Sequence, residues 1–167
     1  MDPLQLSDLY EITKDESINI VEIFTPKSIK GIYTRLDNCK PAIGMNYQSI
    51  SSETEEKLIL AEEIGHYFTA TSKPIGSKYY CNKLYSDRKE HRAFRKAVKM
   101  TISHRQIVKC MLSGANSLYE LAEALEVTED YLKNAFELYK QKYGQFKKVG
   151  EYYLYFDPIG VLRCFDE

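Results

Sequence analysis

In LAEEIGHYF, Leu60 to Phe68, two glutamates and a histidine stand at a spacing that suits a metal centre. In a helix Glu62 and His66, four residues apart, stack on one face, and Glu63 lies along the same side toward His66. The pattern is one residue away from H-E-x-x-H, in which two imidazoles hold zinc and the glutamate beside them acts as base. With glutamate in the first position the ligand geometry survives, because zinc accepts carboxylate oxygen at nearly the nitrogen distance. The electrostatics change. A second anionic donor lowers the net positive charge at the ion, makes a water held there less acidic, and favours harder ions such as manganese or magnesium. Taken alone, E-E-x-x-H fits the solvated face of an ordinary amphipathic helix clearly better than a metal centre. Gly65 counts mildly against that reading, since a glycine inside a helix costs about 1 kcal/mol and often marks close packing or a site.

Other donors are few. His91 sits among Arg88, Lys89, Arg92, Arg95 and Lys96, a cluster that repels cations, so it reads as a surface residue. His104 stands near a helix start and reads as a surface or capping residue. The four cysteines (Cys39, Cys81, Cys110, Cys164) form no CxxC pair, which argues against a zinc ribbon, and a chain of 167 residues does not need a disulfide framework. There is no nucleophile elbow and no glycine-rich phosphate loop, so no small-molecule cofactor is expected.

The elements that must carry the motif follow from the patterning. Ile18 to Phe24 is β-rich and ends at Pro26. Gly31 to Leu36 is a second strand candidate, and LDNCKP after it supplies turn chemistry. Ala42 to Ile50 reads as a third strand with Ile43, Met45 and Tyr47 on one face, and together the three suggest a small antiparallel sheet. Ser52 to Glu55 fits a capping box that opens the motif-bearing helix, which fades near Lys73-Pro74. Residues 73–86 read as loop, and helical patterning resumes at Asp87. Thr101 to Ser103 marks a break, followed by helices at about His104 to Leu112, at LYELAEAL and at EDYLKNAFELYKQKY. YYLYFDPIGVLRCF closes the chain as a hairpin. The expected class is α+β, with residues 1–100 forming the motif-bearing core and 101–167 a helical region with the terminal hairpin, the two packed as one unit.

Hydrophobic residues at 44 %, charged residues at 28 % and a formal net charge of -1 describe a globular chain with no global field for nucleic acid or anionic membrane. No apolar run approaches the ~18 residues of a membrane span, and MDPLQLSDLYEI lacks the form of a secretion signal, so a cytoplasmic protein is expected.

The succession of a strand, a capped helix with LAEEIGHYFTAT, a loop, a helix opening with E-x-x-A, and ELAEALEVTEDYL resembles the ImmA/IrrE family of metallopeptidases over roughly residues 28–165. A sub-group of phages and integrated elements carries A-E-E-[IL]-G-H, which Ala61 to His66 spell. The resemblance implies Glu63 as general base, Glu62 and His66 as ligands, and a third ligand on the next helix, matched by Glu90 in KEHRAFRKA. A second glutamate of the family pattern falls on Arg92, while Ala93 and Ala97 fit its small positions. It further implies zinc, or manganese or another divalent ion, as cofactor. The implied substrate is a protein partner, a helix-turn-helix repressor whose cleavage relieves repression.

In peptidases with this layout the strand before the metal helix lies along the cleft edge, where a peptide adds by β-augmentation. Residues 43–49 are the candidate, with Ile43, Met45, Asn46 and Tyr47 as substrate contacts. The same stretch reads equally as an ordinary edge strand, and the resemblance favours the substrate role.

Two other functions stay open. A degenerate relative would bind a repressor or other partner without cutting it, as Glu62 and Arg92 suggest. A DNA-binding regulator would use residues 117–143, where ELAEALEVTEDYLKNA looks like a helix-turn-helix. Against that use, Glu129-Asp130 opens the second helix and would meet phosphate with like charge, so a helical module docking a protein is the favoured reading.

Overall fold

The computed structural model describes residues 3–70 and 79–164, with the backbone alone for 79–86. The class is α+β, and the chain divides into two compact units, Leu4–Thr101 and a second from Ile102 onward.

The first unit opens with a helix, α1 (Leu6–Asp15), ahead of the first strand. Its signal is short but legible: Leu6, Leu9, Tyr10 and Thr13 recur at helical spacing, and Leu9 and Thr13 are buried. Three short strands follow, β1 (Asn19–Glu22), β2 (Gly31–Thr34) and β3 (Ala42–Met45). Their order is β1-β3-β2, with β3 parallel to β1 and antiparallel to β2. The sheet is therefore mixed, not antiparallel throughout. The physical reason is burial: β3 carries Ile43 and Met45, both fully buried, and this most apolar strand takes the centre. β3 also stops at Met45, because residues 47–49 turn into a single 3-10 turn.

Helix α2 (Glu53–Thr69) begins at Ser52, whose Oγ accepts the Glu55 amide at 3.1 Å. The Glu55 carboxylate does not return to the cap residue. It accepts instead from the amide and hydroxyl of Ser51, at 2.8 and 2.7 Å, and pairs with Lys30 beside β2. Helix α3 (Tyr79–Thr101) starts eight residues before the expected Asp87, because no proline or glycine after Gly76 interrupts its backbone. The Lys73-Pro74 stop lies outside the described residues. Leu9, Ile18, Ile43, Met45, Leu60, Ala61, Ile64 and Ala97 form the core between the sheet and the helices.

The second unit packs α4 (His104–Leu112), α5 (Leu118–Ala124) and α6 (Glu129–Tyr143) with a three-stranded antiparallel sheet, β4 (Phe146–Val149), β5 (Tyr152–Phe156) and β6 (Ile159–Arg163). The expected hairpin is β5–β6, and β4 extends it by one strand. Serine or threonine caps all three helices: Ser103, Ser117 and Thr128 accept amides of the first turn. Among the described residues no helix is long and apolar enough to cross a membrane.

His104 is neither a surface residue nor a cap. Ser103 holds the cap position, and the imidazole packs at 4.3 Å from the Tyr139 ring and 5.4 Å from Tyr143. Lys147 Nζ faces its Nδ1 at 3.5 Å, while its Nε2 is buried without a hydrogen-bond partner. Burial, then the charges of Lys147 and Lys142, push its pKa down to about 4. The folded pKa lies below the unfolded value, so neutral His104 contributes stability that is present above about pH 6.5 and lost as the pH falls through 4. We predict that lowering the pH from 7 to 4 costs the protein about 1–2 kcal/mol more than it costs His104→Phe, after discounting for partial exposure. Urea unfolding of the two proteins at both pH values checks this, and equal losses would refute it.

Candidate active site

The site is assembled by two close approaches at glycines, one to backbone and one to side chains. A Cβ on Gly65 would lie 2.4 Å from the carbonyl oxygen of Ala93, so α2 and α3 touch backbone to backbone there. A Cβ on Gly31 would meet Ile59 Cγ2 at 2.6 Å and Glu63 Oε1 at 2.8 Å, so β2 runs directly against the motif. The first contact brings the residue after Gly65 and the residue three before Ala93 together: His66 Nε2 is 3.1 Å from Glu90 Oε2. The second lets the Tyr33 amide donate to the Glu63 carboxylate.

Glu62, His66 and Glu90 line one open cleft of about 370 Å³, together with Asp87, His91, Ala93 and Phe94. Asp87, His91 and Phe94 were missed as cleft residues. Their signal was the spacing of Asp87, Glu90, His91 and Phe94 at three and four residues on α3, masked by the arginines and lysines between them. Arg92, the position of the family's second glutamate, does not line the cleft; its Nε donates to the Arg88 carbonyl at 3.3 Å.

Glu62 and Glu63 are unusual carboxylates. Burial, then the charge of Glu90, raises the Glu62 pKa to about 7. Burial likewise raises Glu63 to about 7, with Glu62 and Glu90 adding to it and the Tyr33 amide opposing it. A carboxyl poised near neutrality takes and returns a proton with little driving force either way, the property of a general acid–base.

Two of the three expected ligands meet, His66 and Glu90. Among the described residues, no three His, Cys, Asp or Glu side chains form a group that could hold a metal ion, although Glu62 shares the cleft wall. The donor chemistry, one imidazole with two carboxylates on facing helices, suits a divalent ion.

The expected substrate contacts are not available. β3 is bonded on both sides, so it offers no edge. Ile43 and Met45 point into the core, and Asn46, 2 % exposed, pins the preceding loop by donating to the carbonyls of Thr25 and Ile29. Tyr47 hydrogen-bonds Tyr10, which also donates to Glu56. Strand order explains the correction: the strand nearest α2 in sequence sits in the centre of the sheet, and β2 takes the margin beside Glu63.

No family model, no curated protein and no solved structure matches this chain.

Two outcomes follow from the geometry. Glu62 is held with a folded pKa above its unfolded one, so its ionisation destabilises the fold as pH rises through about 7 and is without cost below about 4.5. In metal-free protein Glu62→Gln is expected to raise unfolding free energy by about 1–2 kcal/mol at pH 8 and by much less at pH 5. A gain independent of pH would refute this. Gly65→Ala gains about 1 kcal/mol of helix propensity but overpacks against a backbone carbonyl that cannot yield. Overpacking costs about 1–3 kcal/mol, so a net loss in chemical denaturation is expected. A stabilised Gly65→Ala would show that the two helices are not in contact there.

Proposed function

We propose that the protein is a metal-dependent endopeptidase resembling the ImmA/IrrE family, acting on a helix-turn-helix repressor of a phage or integrated element. The observation that carries this reading is the meeting of His66 with Glu90 in a cleft that Glu62 also lines, with the carboxyls of Glu62 and its neighbour Glu63 both raised toward neutrality. His66 and Glu90 would hold the ion, with Glu62 as the third donor. A divalent ion bound there supplies a Lewis acid for the scissile carbonyl and for water.

The chain's own residues account for the rest. Glu63, oriented by the Tyr33 amide, takes a proton from the attacking water and returns it to the leaving amine. β2 lies at the sheet margin beside Glu63, and a substrate backbone laid along it would be carried past the carboxylate. A cytoplasmic setting fits a repressor substrate.

One specific observation favours a second reading, a relative that binds the repressor without cutting it: the described residues assemble two donors and no three-donor group.

The test is cleavage of candidate repressors by metal-free protein resupplied with zinc or manganese. Metal-dependent cleavage, reduced about 10²-fold or more in Glu63→Gln with folding unchanged, is the expected result. Cleavage indifferent to Glu63→Gln would overturn the enzyme reading. A stable complex with intact repressor under every metal supply would establish the second.

A further inference from the structure

The cleft between α2 and α3 holds more donors than the motif supplies. Glu62 and His66 stand one helical turn apart on α2, and Asp87, Glu90 and His91 line the facing wall on α3. The approach of Gly65 to Ala93 fixes the spacing of the two helices and brings His66 Nε2 to 3.1 Å from Glu90 Oε2. His91 follows Glu90 directly, so its imidazole leaves α3 in the same turn as the carboxylate that meets His66. Two imidazoles and three carboxylates thus share about 370 Å³.

The cations that surround His91 in the sequence stay out of this space. Arg92 Nε turns back to the Arg88 carbonyl at 3.3 Å, and Lys96 Nζ lies over the Phe68 ring at 4.5 Å. No lysine or arginine is among the described residues that line the cleft. A wall of acids and imidazoles with no positive charge of its own suits a cation. Nitrogen donors favour an ion of the zinc or iron kind over calcium or magnesium.

We propose that His91 is a ligand of this site. It supplies from α3 the imidazole that position 62 of α2 lacks, so that His66 and Glu62 on one helix and His91 and Glu90 on the other hold the ion. This role for His91 rests on the metal-dependent reading above, and neither the motif nor the resemblance implies it. As the side chains stand, His66 and Glu90 meet, while His91 is exposed and no packing holds its ring away from them. Four protein donors fill a tetrahedral ion and leave two open positions on an octahedral one. Hydrolysis at this site therefore calls for a six-coordinate ion, although zinc itself would still bind.

The chain has three histidines, which makes the test direct. Long-range proton–nitrogen NMR correlations of the imidazole rings are followed in the full-length, metal-free protein as zinc, a diamagnetic probe, is added. Expected are shifts of His66 and His91 that saturate together, with His104 unmoved. His91→Ala is expected to lower zinc affinity about tenfold or more in competition with a chromophoric chelator. Arg95→Ala, one turn further along α3, is expected to leave it unchanged. Equal urea midpoints of the metal-free proteins show that each variant folds, and the ring shifts of the unaltered protein need no variant at all. Zinc that shifts His66 alone, or His91 only in a second and weaker step, overturns the role of His91 and leaves the metal reading standing. So does an affinity untouched by His91→Ala. If no histidine responds to zinc, both are overturned.

Discussion

The first unit depends on the contact between Gly65 and Ala93. A backbone-to-backbone approach this close sets the spacing of α2 and α3 more rigidly than any side-chain packing, because neither partner has a rotamer with which to give way. The residues next to it inherit that spacing. His66 follows Gly65, Glu62 precedes it by three residues, and Glu90 lies three residues before Ala93, so one contact places groups from two helices around one cleft. Gly31 does the same from the sheet side, and Glu63 is caught between β2 and α2. Gly65 thus brings two main chains near enough for His66 and Glu90 to meet, and Gly31 leaves room beside β2 for the side chains of Ile59 and Glu63.

Such an arrangement is costly by itself. Glu62 and Glu63 are half-buried close to one imidazole and to the exposed Glu90, and burial together with the neighbouring charges raises the pKa of both. The offset comes from the other side of α2, where Leu60, Ala61 and Ile64 pack on Ile43 and Met45. Carboxylate clusters of this kind concentrate at functional sites, where the ionisation that burdens the fold is used.

What was legible in the residues was whatever depends on local chemistry. Ser52 announces α2 because a hydroxyl at the cap satisfies an amide wherever the rest of the chain lies. Glu90 was named only through the resemblance of KEHRAFRKA to the family's helix, in which Ala93 and Ala97 fit the small positions. Strand order was not legible. β3 precedes α2 in sequence, and nothing in AIGM says whether it lies at the margin or in the centre; that is decided by which strand buries most apolar surface, a property of the whole sheet. His104 failed for a related reason. Next to a cap and followed by arginine it looks exposed, and only the return of Tyr139, Tyr143 and Lys147 from more than thirty residues away encloses it.

The second unit shows the same separation of faces in its charge. Acids stand in the first turns of α5 and α6, Glu120, Glu129 and Asp130, where a carboxylate near a helix N-terminus meets the positive end of the dipole. Lysines collect at the other end of α6 and on β4, where Lys140 and Lys142 meet the negative end. What stabilises α6 therefore makes its N-terminus a poor reader of phosphate and leaves the positive potential beside the sheet. The helix pair that looks like a helix-turn-helix has its charges the wrong way round for a duplex groove.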